Sequence, residues 1–401
     1  MKNIISFFVC FSFLYMLIQP LRLIFDGGQA LSMIIPTVLI IVYDHQYSNR
    51  SVLMALLYAI IVFILRSIGV EYFENYLSHI VTTFFSICCV EHYYKTKDDR
   101  FAKAVLITFY ASFIIMSLIS IPQFYLYPEM TRQLLFSEIN DERVSSVFYW
   151  SIAYSSMHEI PLVLIPLIAL YKQKRRRKII KTLLLLSILI LFIALMLGDA
   201  TTPFLMSCVI ILVLFLYNPN RALSFNLYRL GLVSGIFLIL MNKTVLVILL
   251  STVQPIFEGT TNYSKIDDTI NQIKTGQVEE KSNLGQRELV YDMSKEIFYS
   301  HPFGIEKSKR NIGQHSFIID HLAVMGLFLV LPLVLLTFMR YKRGYKLLPH
   351  YRYYYIVAYL AFLTLAYYKN FFLKIEAWFI IPMFFKLLEK KENNVHIRSN
   401  N

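Results

Sequence analysis

The sequence predicts an all-α, polytopic integral membrane protein, on three observations. Of 401 residues, 57% are hydrophobic and only 16% are charged, with a mean hydropathy of +0.54, which is too apolar for a water-soluble globule of this size. The apolar residues recur in runs of about 17 to 25, the length a helix needs to cross about 30 Å of hydrocarbon. Lys and Arg concentrate in every second break between those runs.

Twelve spans are expected, at 4–24, 28–43, 51–70, 74–94, 101–122, 147–171, 179–198, 200–217, 228–251, 316–339, 353–370 and 371–388. The breaks after the even-numbered spans carry Arg50, then Lys95, Lys97 and Arg100, then KQKRRRK at 172–178, then Arg221, then RYKRGYK at 340–346, then Lys390 and Lys391. The breaks after the first, third, seventh and eleventh spans are short and mostly lack basic residues. The positive-inside rule therefore places both termini in the cytoplasm. The first run has no small-residue cleavage site and reads as an anchor, not a removable signal.

Cys10, Cys88, Cys89 and Cys208 all fall in apolar runs without C-x-x-C spacing, so neither a disulfide framework nor a zinc site is suggested. The net charge of +13 gathers at helix ends, which excludes nucleic acid as the expected partner. Tyr and Phe crowd the expected interfaces, at Tyr93, Tyr94, Tyr351 and Tyr367 among others, as an aromatic belt would.

The chain reads as one transmembrane domain over 1–401 with two longer extracytoplasmic loops, a smaller one at 123–146 and a large one at 252–314 between the ninth and tenth spans. The large loop has eight basic and nine acidic residues, so anion binding there would need placed side chains. Residues 258–282 are polar and read as mobile surface. Beyond them Leu289, Val290, Met293, Ile297 and Phe298 form an apolar stripe, predicting an amphipathic helix at about 287–300 that ends before Pro302 and Gly304.

Arg287 opens that helix, His301-Pro302-Phe303-Gly304 closes it, and His315-Ser316-Phe317 starts the next span, with Gly326 in its first third. This arrangement resembles the O-antigen polymerase and ligase superfamily, the Wzy-type enzymes that join polyprenyl-diphosphate-linked sugars outside the cytoplasmic membrane. Arg143, just before the sixth span, adds a weaker resemblance. Many relatives have Ser-Arg where this chain has Gly198-Asp199-Ala200-Thr201-Thr202, so its diphosphate clamp would be built differently, with Lys243 or Arg66 as candidates.

The resemblance implies a bacterial inner-membrane glycosyltransferase with no cofactor and no metal, acting on undecaprenyl-diphosphate-linked oligosaccharide among membrane lipids. It also implies a chain-length regulator and a flippase as partners. The chemistry suits the residues. Arginine offers paired donors that match phosphate oxygens on a leaving diphosphate, which makes Arg287, Arg143 and Arg310 the candidate clamp. An acceptor hydroxyl needs a base, and His315 is the candidate, with His301 nearby. No carboxylate pair has glycosidase-like spacing, so direct, inverting displacement is expected.

Ionisable residues within spans are costly and informative. Arg66, Asp199, Lys243, Asp320, His321, Lys374 and Glu376 all map to outer helix halves, suggesting an outward-opening cavity, whereas Glu159 falls near the middle of the sixth span. Taken alone, Arg287 also fits a surface charge, His315 a helix cap, and Arg310 a headgroup contact. Polymerase is the leading reading, ahead of a ligase of the same superfamily. A flippase would show related halves, which are not evident. A membrane acyltransferase would want its His and Asp early and on the cytoplasmic side, unlike His315 and Asp320.

Overall fold

A computed structural model describes residues 2–17, 28–45, 49–73, 77–126, 154–173, 177–198, 200–218, 243–258, 261–275, 283–304, 316–369 and 376–399, with isolated residues 225, 228 and 312. Every regular element among them is helical. The longer helices are α1 (Lys2–Leu17), α2 (Gly28–Asp44), α3 (Arg50–Ser67), α4 (Leu77–Thr96), α5 (Asp99–Leu126), α6 (Ile160–Tyr171), α7 (Lys178–Leu197) and α8 (Thr201–Leu216). They continue as α9 (Lys243–Val253), α10 (Thr261–Thr275), α11 (Asn283–Ser300), α12 (Phe317–Leu329), α13 (Leu331–Leu347), α14 (Arg352–Tyr368) and α15 (Ile381–Ser399).

Three helices, α3, α5 and α7, are long and apolar enough to cross a membrane, and the bent pair α12 and α13 makes a fourth if counted as one span. Helices α1, α2, α6 and α8 are apolar but shorter. Their packing follows their sequences. In α6 every residue from Ile160 to Ala169 is buried, and it forms the centre against α7, α8, α14 and α15, as a helix apolar on all sides must. By contrast α7 buries only Ile188, Leu191, Ala194 and Leu195, and α3 leaves Leu53, Leu56, Leu57, Ile60, Phe63 and Ile64 exposed. A continuous apolar exterior of that kind belongs in hydrocarbon, not water.

Polar contacts tie the helix ends together. Asp44 accepts from His92 Nδ1 at 2.6 Å, and Lys95 reaches the Asp44 carbonyl. Glu91, nearly fully buried, takes Asn49 Nδ2 at 2.8 Å together with the guanidinium groups of Arg340 and Arg343. Arg343 also lies over the Tyr94 ring, 4.7 Å from its centroid. Lys390 pairs with Asp99 at 3.0 Å and His350 with Glu389 at 2.5 Å. Lys172 caps the carbonyl ends of α8 at Leu214 and Tyr217. Each pair joins segments that the Lys and Arg alternation assigns to one side.

The elements depart from the sequence reading in four places. Helix α5 runs through Pro122 to Leu126, one turn beyond the expected end. The expected sixth span breaks at His158 and Glu159, where Pro161 starts α6, so Glu159 sits at a helix start and not in mid-helix. The expected tenth span is two helices bent by 100°: Gly326 adopts φ 63°, ψ −174°, and Pro332 starts α13. Residues 261–275, expected as mobile surface, form α10, whose Ile266, Ile270 and Ile273 share its packed face.

Candidate functional site

The expected amphipathic helix is α11, which starts at Asn283, one turn earlier than predicted, and packs along α12. Tyr291 donates to the Tyr368 carbonyl at 2.9 Å, holding α11 to the end of α14. Ser294 Oγ donates to Asp320 Oδ1 at 2.7 Å, while the Ser316 backbone N–H donates to Asp320 Oδ2 at 3.0 Å. Both carboxylate oxygens thus latch α11 to the start of α12, and Ser294, Ser316 and Asp320 are fully buried. Ser316 also caps α12, accepting from the Ile319 N–H.

At the other end of α11 the chain turns through His301, Pro302, Phe303 and Gly304, with His301 exposed. This turn docks on the kink of α12, where the Leu327 N–H donates to the Pro302 carbonyl at 3.0 Å. Gly304 (φ 91°) and Gly326 (φ 63°) meet face to face. A Cβ on Gly326 would stand 2.2 Å from the Phe303 carbonyl carbon, and one on Gly304 would stand 2.4 Å from that of Met325. The Phe303 and Phe328 rings stack across the junction with centroids 5.5 Å apart.

One residue on from Asp320, His321 is fully buried at the junction of α12 with α3. Its Nδ1 lies 2.9 Å from the Phe317 carbonyl, which can only accept, so Nδ1 carries the proton. Nε2, 3.0 Å from the Tyr58 hydroxyl, is then the acceptor. Tyr72 lies 3.3 Å from Nδ1, and Phe317 stacks on the imidazole at 3.7 Å. Sequence reasoning missed Tyr58 and Tyr72, because nothing local links them to a histidine some 250 positions away.

Beside His321 lies a groove of about 460 Å³ between α12, α13 and α14. It runs from Phe317 and Leu322 past Val334 and Phe338 to Leu360 and Leu363. Two of its wall hydroxyls are spent internally: Tyr359 donates to the Thr337 carbonyl, and Thr337 donates to that of Leu333; Tyr341 adds a third hydroxyl to the lining. Leu322 also lines a second pocket of about 220 Å³ with Lys295, Phe298, Tyr299 and Tyr367. Lys295 donates to Asp292 at 2.8 Å, and that hydrogen bond raises its pKa above the ordinary value.

Of the residues singled out from the sequence, the structure brings together Asp320, Ser316 and the His301 turn on one helix. Arg66 is exposed in the last turn of α3, over a depression of about 250 Å³ lined with Phe63, Phe73 and Ile80. Arg287 lies in the second turn of α11 and Lys243 begins α9, but the side chains of both lie outside the described residues. Arg143, Arg310, His315, Asp199 and Lys374 also lie outside them.

No protein-family model matches the chain, and no curated protein matches it either.

Proposed function

We propose that the chain is a polysaccharide polymerase of the bacterial cytoplasmic membrane, transferring a growing glycan from its polyprenyl diphosphate to an incoming lipid-linked repeat unit on the outer face. The observation that carries this reading is the Gly304 to Gly326 junction. The His-Pro-Phe-Gly turn and the apolar helix with its early glycine, the two halves of the motif resemblance, form one contact. The stretch carrying Arg310 and His315 leaves from Gly304, which abuts Gly326 of α12, and returns at Ser316, which caps that helix.

In this reading the acceptor hydroxyl oxygen attacks the anomeric carbon of the donor while the bond to the phosphate oxygen breaks. The hydroxyl proton passes to His315, and the anomeric configuration inverts. Arg287, Arg143 and Arg310 hold the diphosphate as charge develops on it, with Arg66 and Lys243 as further cations. Asp320 acts through position: it fixes Ser316 relative to α11. The reading includes twelve spans, cytoplasmic termini and an extracytoplasmic 252–314 segment, and the pairing of helix ends by side supports that arrangement.

The reading is tested by gel analysis of surface glycan from cells lacking the gene. Acceptor bearing a single repeat unit is the expected result. Free lipid-linked polymer would indicate a ligase, and repeat units trapped on the cytoplasmic side would indicate a flippase.

A further inference from the structure

We infer that Arg343, together with Lys97 and Lys386, forms a binding site for a phosphate anion where α4, α13 and α15 come together.

Arg343 is surplus to the ion pair it joins. Glu91 is already neutralised by the buried Arg340, which spends Nη1 on that carboxylate and Nη2 on the Trp378 carbonyl. Arg343 brings a second positive charge to Glu91, and it does so through Nη1 alone. The side chain is 39% exposed, and among the described residues its Nε and Nη2 make no hydrogen bond. That free edge carries two parallel N–H groups, the spacing that matches two oxygens of a phosphate. The guanidinium is also held in place, over the Tyr94 ring at 4.7 Å from its centroid, so a ligand need not order a loose side chain.

Two lysines stand around it. Lys390 pairs with Asp99 at 3.0 Å, which turns the face of α15 that carries Lys386, one helical turn earlier, toward the junction of α4 and α5. Lys97 occupies that junction, exposed and in a left-handed conformation (φ 51°), three residues beyond Tyr94. Lys386 is half-buried between Phe385 and Leu387, close enough to Lys97 and Arg343 for both charges to act on it. The carboxylates nearby are engaged elsewhere. Asp98 accepts from the first N–H groups of α5, Asp99 holds Lys390, and Glu389, which also acts on Lys386, accepts from the His350 ring and backbone N–H. Among the described residues neither Lys97 nor Lys386 has an ion pair. Like charges so placed repel one another, and an oxyanion between them relieves the repulsion.

Depth sets where the phosphate comes from. Helix α13 exposes Val334, Leu335 and Phe338 on its apolar exterior, and Lys342 reaches back over the Phe338 ring at 5.9 Å from its centroid. Arg343 therefore stands about one turn beyond the lipid-facing surface, at headgroup level. The anion is the phosphate of an acidic lipid headgroup or a phosphate free in the adjoining water.

The test uses the full chain in detergent at constant ionic strength with two probes, a fluorescent short-chain phosphatidylglycerol and radiolabelled inorganic phosphate. Saturable binding is expected to weaken about tenfold in Arg343→Gln and about threefold in Lys386→Gln, which leaves the Glu91 pair intact. Lys342→Gln, a neighbouring exposed cation outside the site, should leave it unchanged. If phosphatidylglycerol shows this pattern and inorganic phosphate does not displace it, the ligand is a lipid headgroup; if inorganic phosphate binds with the same pattern, the ligand is free phosphate. Equal binding of fluorescent phosphatidylcholine means that acyl chains hold the lipid, and an equal loss in Lys342→Gln means diffuse surface charge. Either result overturns the inference, as does the absence of saturable binding by both probes.

Discussion

Gly304 and Gly326 pack backbone to backbone, each in a left-handed conformation and each without room for a Cβ. The geometry of Gly326, at φ 63° and ψ −174°, is open essentially to glycine alone. Gly326→Ala is therefore expected to cost roughly 2 to 4 kcal/mol, from strain and from displacement of the Pro302 turn. A melting curve of the purified protein in detergent measures this; Phe303→Ala, at an exposed ring, should cost far less.

The Asp320 latch makes a graded prediction. Ser294→Ala removes one donor from a buried carboxylate and should destabilise by about 1 to 3 kcal/mol. Asp320→Ala leaves the Ser294 hydroxyl and the Ser316 N–H together without that acceptor and should cost more. Limited proteolysis between α11 and α12 should accelerate in the same order.

On the opposite side, Glu91 is enclosed by Arg340 and Arg343. Glu91→Ala strands a buried guanidinium and is expected to cost about 3 to 5 kcal/mol. Pairing it with Arg340→Met should recover part of that loss, because the uncompensated charge is gone. The same melting assay, run on both variants, checks this.

The twelve-span arrangement predicts which surface positions an impermeant thiol reagent reaches. A cysteine at Asn271, exposed on α10, should react in intact cells. One at Lys346, at the end of α13, should react only after permeabilisation. Reaction of both from outside would overturn the arrangement.

Much of the fold was legible in the sequence because hydrocarbon imposes simple rules. Run length placed α3, α5 and α7, and the basic residues sorted the helix ends that pair at Asp44, Glu91, Asp99 and Glu389. The bend at Gly326 was not legible, since a lone glycine in an apolar run is usually tolerated as helix, and its contact with Gly304 leaves no mark in the local pattern. Helix α10 was overlooked because its polar composition outweighed the spacing of Ile266, Ile270 and Ile273. At the candidate site, Asp320 stood out as an intramembrane charge, but its role as a latch depends on Ser294, which no pattern marked.

The central claim is glycan polymerisation, and complementation of the gene deletion tests it most directly, read as the length distribution of surface glycan. Wild type should restore a ladder, while Arg287→Ala and His315→Ala should insert normally and leave a single repeat unit. Arg287→Lys should also fail, since a point charge does not replace paired phosphate contacts. Long chains in the Ala variants would contradict the roles given to Arg287 and His315, and an unchanged ladder in the deletion itself would contradict polymerisation.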